Sequence, residues 1–244
     1  IGVFGAAGSR PVLDKPKGTS RKGSGRTNAA PKQNKDDAET RARRAAVRDA
    51  FRHAWRGYEV HAFGHDEVRP TTNATNDSWG GFGVTLFDSL DTMIIMGLEG
   101  EYQRALRHVY RVSFDKDYEA SFFETAIRYL GGMLGAHALS PDPMLRDKAR
   151  DLGERLLASF QSTPSGLPQS VVNLRTGHSH NHKWNGAHSI LSEVGSIQLE
   201  FAYLSQITGD SRFHDAARAV FSLYSKSESP LGGLFPVYMD PRTR

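Results

Sequence analysis

The chain has 244 residues, no cysteine, and 31 Lys and Arg against 27 Asp and Glu, a formal net charge of +4. Its length supports one substantial core or two small ones. The lack of cysteine excludes disulfides and thiolate metal sites in this stretch, and no run of eighteen apolar residues is present to span a membrane. Residues 1–35 hold eight basic side chains and one acidic, which leaves 23 basic and 26 acidic in the rest. The body is therefore slightly acidic and lacks the basic face expected of a nucleic-acid-binding domain.

Residues 1–36 are rich in Gly, Ser, Pro, Lys and Asn, a composition that does not repay the entropy of ordering. They read as a flexible basic linker or stem, with a basic tail meeting an anionic membrane or nucleic acid as the alternative. The apolar opening, Ile1 to Ala7, is too short for a signal peptide, so a targeting segment or anchor is expected upstream. From Asp37 to Phe63, Val47, Ala50, Phe51, Ala54, Trp55, Tyr58 and Ala62 form a helical stripe, with Gly64 placed to end it. Residues 70–83 read as loop and contain Asn73-Ala-Thr75 and Asn76-Asp-Ser78, two adjacent acceptor patterns for N-glycosylation, of which one at most is expected to be used.

Further helices are predicted over about 85–98, 101–111, 121–138 and 143–160, the last opening near Pro143. Gly131-Gly132 inside the third of these implies close approach to a neighbour. Residues 164–185 break the pattern. Helix is expected again over about 189–207 and 211–226. No strand alternation of any length and no repeat at a fixed period is visible, so the fold class is all-α.

Three polar patches lie where helices would accept apolar residues. Asp88 and Asp91 are i,i+3 and share a face; they suit sugar hydroxyls or a cation, or simply cap a helix. Glu124 and Arg128 are i,i+4 in apolar surroundings, where desolvation and the guanidinium oppose one another in setting the carboxyl, as a general acid requires. A surface ion pair is the plainer reading. Glu193 and Glu200 are seven apart and are predicted to share one helix face, with Ser196 and Gln198 nearby. Histidines 178, 180, 182 and 188 cluster around a loop, but their spacing matches no zinc pattern, and no metal ligand is assigned in this chain. Gly81-Phe-Gly83 lacks the Lys and Ser or Thr that would complete a phosphate loop.

These residues resemble the class I α-1,2-mannosidases, glycoside hydrolase family 47. Five stretches carry the resemblance, in order and with family-like gaps: Val47-Arg-Asp-Ala-Phe-Arg-His-Ala-Trp-Arg-Gly-Tyr58; Gly83-Val-Thr-Leu-Phe-Asp-Ser-Leu-Asp-Thr92 with Ile95-Met-Gly97; Phe123-Glu-Thr-Ala-Ile-Arg128 with Leu130-Gly-Gly132; Leu191-Ser-Glu-Val-Gly-Ser-Ile-Gln-Leu-Glu-Phe201; and Leu204-Ser-Gln-Ile-Thr-Gly-Asp210. They cover about residues 38–244. The resemblance implies an (α/α) barrel of paired helices, of which residues 37–244 form the N-terminal, incomplete part. It implies hydrolysis of terminal α-1,2-linked mannose from high-mannose N-glycans with inversion, and a calcium ion at the base of the pocket. It makes Glu124 the general acid, directly or through a water molecule, and Arg128 its partner. Glu193, Asp88, Asp91 and, more weakly, Glu200 become pocket residues.

The expected general base and the calcium-binding threonine belong to a later half of the barrel. The 244 residues alone are therefore expected to be inactive, to hold calcium poorly and to expose apolar helix faces. The resemblance places the complete protein in the endoplasmic reticulum or Golgi, anchored or secreted. Three other readings stay open: a mannose-recognising relative in glycoprotein quality control, a helical scaffold in which Glu124, Arg128 and Glu193 face solvent separately, and a magnesium-dependent enzyme acting on diphosphates through Asp88 and Asp91.

Overall fold

The computed structural model describes residues 37–227, 229 and 232–242; the stem predicted over 1–36 lies outside them. The chain divides inside its first helix into two compact units, 1–43 and 44–244. The fold set out below is that of the second.

Helix α1 (Ala38–His61) buries Trp55 and Tyr58 along its apolar stripe. It stops before Gly64, which takes φ 92°, and the Tyr58 hydroxyl accepts from Gly64 N and donates to the His65 carbonyl. A short hairpin follows, β1 (Glu67–Arg69) against β2 (Ala74–Asn76), pairing Glu67 with Asn76. Helices α2 (Val84–Ile95) and α3 (Glu99–Val109) come next. Strand β3 (Glu119–Ser121) then runs directly into α4 (Phe122–Glu124), a π-helical turn (Thr125–Leu130) and α5 (Gly131–Leu139). Helix α6 (Pro143–Gln161) opens as its sequence dictates, with Pro143 in the first turn and the Asp142 carboxylate accepting from Met144 N and Leu145 N.

Strands β4 (Val171–Asn173) and β5 (Ser179–His180) join β3 in an antiparallel sheet ordered β3-β4-β5. Strand β6 (Ser189–Ile190) leads into α7 (Leu191–Val194), α8 (Gln198–Thr208) and α9 (Ser211–Lys226), and β6 pairs with β7 (Tyr238–Met239). Helices pack pairwise, α2 on α5, α2 on α3 and α8 on α9.

Two aromatic clusters anchor this packing. Phe82, Phe87, Phe114 and Tyr129 meet with ring centroids 5.0 to 6.0 Å apart. Phe122, Phe160, Phe201 and Phe213 form the second. The glycine pair behaves as its position in a helix implies. A Cβ on Gly132 would lie 2.4 Å from the Phe87 carbonyl oxygen, so α2 and α5 touch backbone to backbone there.

Three expectations need correction. Strands do occur, but each is only two or three residues long, too short for alternation to show in the sequence. The helix predicted over 121–138 is interrupted by the π-helical turn. The helix predicted over 189–207 is two helices: the α7 turn closes at Gly195, whose N–H donates to the Leu191 carbonyl and where a Cβ would come within 2.8 Å of that oxygen. Ser196 Oγ donates to the Ser192 carbonyl at 2.6 Å and competes further with helix continuation.

Candidate active site

Helix α2 and the π-helical turn bring their charged residues together. Arg128 donates through Nε to Glu124 Oε2 at 2.7 Å and through Nη1 to Asp88 Oδ2 at 3.1 Å. Its guanidinium also lies 5.0 Å from the centroid of the Trp79 ring. All three side chains are about one-third exposed, so the group opens to solvent. The local backbone places them there. Ser121 caps α4, its Oγ accepting from Glu124 N at 3.3 Å, and Arg128 sits on the π-helical turn. Two carboxylates share one guanidinium, leaving one negative charge uncompensated inside the group. Desolvation pushes the Asp88 carboxyl upward against the pull of Arg128, and the neighbouring Glu124 and Asp91 charges add to the rise. Desolvation opposes the charge on Arg128, yet its hydrogen bonds to Glu124 and Asp88 hold it above its ordinary value.

Glu193 is tied to this group through one residue. Its Oε2 accepts from Ser170 Oγ at 3.0 Å, and the Ser170 carbonyl accepts from Phe122 N at the start of the helix that carries Glu124. Asp91 is turned away from Arg128. Its Oδ1 accepts from its own neighbour Thr92, N at 2.6 Å, and its Oδ2 faces Gly135, where a Cβ would meet it at 2.9 Å. Neither Asp88 nor Asp91 caps a helix, since α2 begins at Val84 behind a left-handed Gly83.

Glu200 stands apart, in a groove of about 300 Å³ lined by Gly131, Leu134, Gly135, Ala138, Leu199 and Tyr203. Its Oε2 is buried without a hydrogen-bond partner among the described residues, and burial raises its carboxyl. The break at Gly195 puts Glu193 and Glu200 on separate helices, so the shared face predicted for them does not exist.

Two residues that matter here escape sequence reasoning. Asp66 is fully buried and accepts from five backbone N–H groups: Trp79 and Gly81 at Oδ2, and Phe82, Gly83 and Val84 at Oδ1, at 2.7 to 3.2 Å. The glycine loop passed over as a phosphate site is indeed an anion cradle, filled by the chain's own carboxylate. Gly80, Gly81 and Gly83 take φ of 98°, 69° and 87° to aim those N–H groups inward. The cradle fixes Trp79, whose carbonyl also accepts from the Tyr129 hydroxyl at 2.8 Å. Trp79 in turn flanks Arg128. A Gly-Gly-x-Gly run with an acid fourteen residues before it was the available signal.

Of the two glycosylation candidates, Asn73 is exposed at the hairpin turn with φ 56°. Asn76 is engaged, its Nδ2 donating to Glu67 Oε2 at 2.8 Å and to Ser78 Oγ at 3.0 Å.

No helix among the described residues is long and apolar enough to cross a membrane. Residues 50–244 match the model of glycosyl hydrolase family 47. A mannosyl-oligosaccharide 1,2-alpha-mannosidase of Arabidopsis thaliana is 45% identical over 208 residues, covering 84% of this chain and 37% of the relative. The endoplasmic reticulum mannosyl-oligosaccharide 1,2-alpha-mannosidase of Homo sapiens is 42% identical over 199 residues, covering 81% of this chain and 28% of the relative. The solved alpha-1,2-mannosidase from Trichoderma reesei superposes with a TM-score of 0.71 at 32% identity, covering 78% of this chain and 41% of that one. The chain thus spans roughly a third of the length of these curated relatives, and its paired helices are part of an (α/α) barrel. With the motifs, the fold and the relatives in agreement, the chain belongs to glycosyl hydrolase family 47.

Proposed function

We propose that the protein carrying this chain hydrolyses terminal α-1,2-linked mannose from high-mannose N-glycans with inversion, and that Glu124 is its general acid. The observation that carries this reading is the group formed by Glu124, Arg128 and Asp88 beside Trp79, on a scaffold shared with relatives named for that activity. Glu124 gives its proton to the departing glycosidic oxygen as the bond to the anomeric carbon breaks. A water attacks that carbon from the opposite face and loses its proton to a second carboxylate. Arg128 holds the Glu124 carboxyl in place and supplies the positive charge that keeps Asp88 beside it. The Trp79 ring walls one side, where a sugar face can stack. Glu193, held by Ser170, is placed to bind hydroxyls or order water.

The second carboxylate is proposed to come from the remainder of the barrel, because the relatives are about three times as long as the matched segment. Calcium is the ion the family generally uses. The described residues of this chain do not suit it. Calcium takes six to eight oxygen donors, and the only group of three or more candidate ligands among the described residues contains two imidazoles. Glu124 and Asp88 are already engaged by Arg128. Calcium ligands are therefore assigned to the remainder of the barrel as well. Work in the endoplasmic reticulum or Golgi, on glycans of glycoproteins and with an anchor upstream, completes the proposal; the human relative is named for the endoplasmic reticulum.

The test is mannose release from a high-mannose N-glycan by the complete protein, with E124Q beside it. Removing a general acid should lower kcat by about a hundredfold or more. Unchanged turnover in E124Q sinks the assignment of the acid. Glycan binding without release by the unmodified protein sinks the hydrolase and favours the quality-control reading.

A further inference from the structure

The sheet ordered β3-β4-β5 places three ligand-type side chains on one face. Glu119 pairs with Asn173 across β3 and β4, and His180 pairs with Val171 across β4 and β5. The Asn173 N–H donates to the His178 carbonyl at 2.8 Å, which sets His178 beside Asn173. Cross-strand partners point to the same side of a sheet, and so do residues two apart on one strand. Glu119, His178 and His180 therefore rise from one face, and their ligand atoms all lie within 4.8 Å of one another. Glu119 and His178 are exposed and His180 is half-buried. Among the described residues none of the three side chains has a hydrogen-bond or ion-pair partner.

The platform beneath them is fixed. Val171, Val172 and Asn173 of the middle strand are buried. The Asn173 side chain accepts from Arg175 N and Thr176 N and donates to Asp117 Oδ1 at 2.7 Å, which locks the turn leading to His178. The histidine spacing that fits no zinc pattern in one dimension becomes a site once Glu119, some sixty residues earlier, is paired across the sheet.

We propose that Glu119, His178 and His180 bind a divalent late transition-metal ion, with zinc as the ion of choice. Two imidazoles and one carboxylate are a borderline donor set that suits zinc and not calcium or magnesium. Tetrahedral zinc needs ligand atoms about 3.4 Å apart at bonds of about 2.1 Å. Rotation of the exposed Glu119 and His178 side chains toward half-buried His180 would close the present separation. The three protein ligands leave a fourth position for water. Bound metal would cross-link the outer strands β3 and β5 over β4. Because β3 ends at Ser121, the residue that caps α4 and positions Glu124, the clamp would stiffen the segment that presents the proposed acid. The metal site itself does not depend on the hydrolase reading.

The experiment is calorimetric titration of zinc chloride into tag-free, chelator-stripped full chain, with calcium chloride as comparison. A cobalt(II) titration followed by visible absorption reports the coordination geometry. One zinc equivalent should bind, H178A/H180A should abolish binding, and E119Q should weaken it by about tenfold or more. H182A and H188A remove neighbouring imidazoles of the same loop and should leave binding as it is. Circular dichroism of each variant separates loss of the site from loss of the fold; these side chains point to solvent, and the variants are expected to melt like the parent. Absence of zinc binding by the parent overturns the proposal. So does unchanged binding by folded E119Q, or loss in H182A or H188A equal to that in H178A/H180A, which would mark a diffuse histidine-rich loop.

Discussion

Asp66 is the strongest single test of how this site is built. Its carboxylate is fully buried and satisfies five backbone N–H groups of the loop from Trp79 to Val84. Each hydrogen bond to a charged acceptor is worth about 1.5–3 kcal/mol. The five do not add, since the loop relaxes and admits water once the acceptor is gone. Loss of a buried, fully paired charged group costs about 3–5 kcal/mol, and we expect Asp66→Ala in that range. Asp66→Asn is the more telling change because it keeps shape and removes only charge and one acceptor. Oδ1 faces three backbone N–H donors and the Tyr129 hydroxyl, and Oδ2 two backbone donors, so either orientation of the amide sets an NH2 group against N–H groups. Asn should therefore cost nearly as much as Ala, with a melting temperature lower by about 10 °C for a domain of this size. Urea unfolding at pH 7, followed by tryptophan fluorescence, measures it, and Trp79 lies in the affected loop. If Asp66→Asn stays within about 0.5 kcal/mol of the parent, the cradle is not what holds the loop.

Gly132→Ala should prevent native packing of α2 on α5, because its Cβ would sit 2.4 Å from the Phe87 carbonyl oxygen, whereas Gly57→Ala in α1 meets nothing within 4 Å and should stabilise by about 0.5–1 kcal/mol in thermal melts. Burial raises the Glu200 carboxyl in the folded chain, so the native state holds that proton more tightly than the unfolded one. Stability is then lost as pH rises from the ordinary carboxylate range through the raised value. Glu200→Gln should accordingly gain in urea midpoint at about pH 7 and not at about pH 4, and an equal gain at both would refute the buried charge as the cause. Glycan occupancy, read by mass spectrometry of peptides from secretory expression, should fall on Asn73 and spare Asn76, whose side chain already bonds Glu67 and Ser78.

What could be read in the sequence was what a single helix decides. The stripe through Trp55 and Tyr58, the helix opening at Pro143, and the i,i+4 pair Glu124 and Arg128 all depend on neighbours within a turn or two, and the structure has them. The requirement for small residues at Gly132 was legible too, because a glycine inside a helix has a cost that only close approach explains. What could not be read depends on partners far along the chain. Glu193 and Glu200 looked like one face because a spacing of seven assumes an unbroken helix, and Gly195 breaks it. Asp88 joins Arg128 across forty residues. The role of Asp66 was faint in the sequence, because most of its partners are backbone N–H groups of a glycine loop more than a dozen residues on, and only the glycines mark that loop.

The Glu124–Arg128 pair alone says little about chemistry. Glu124 and Arg128 on an isolated helix would be a surface ion pair worth a few tenths of a kcal/mol. Three features remove them from that category. Arg128 is carried on a π-helical turn, the Asp66 cradle delivers Trp79 to its flank, and α2 brings Asp88 against its second edge. A guanidinium with two carboxylates and an aromatic face around it has no spare capacity to wander. That rigidity suits the proton-donor role proposed for Glu124. The site is thus built from the loop inward: disturb Asp66, and the geometry of Glu124 should fail although no atom of Glu124 or Arg128 has changed.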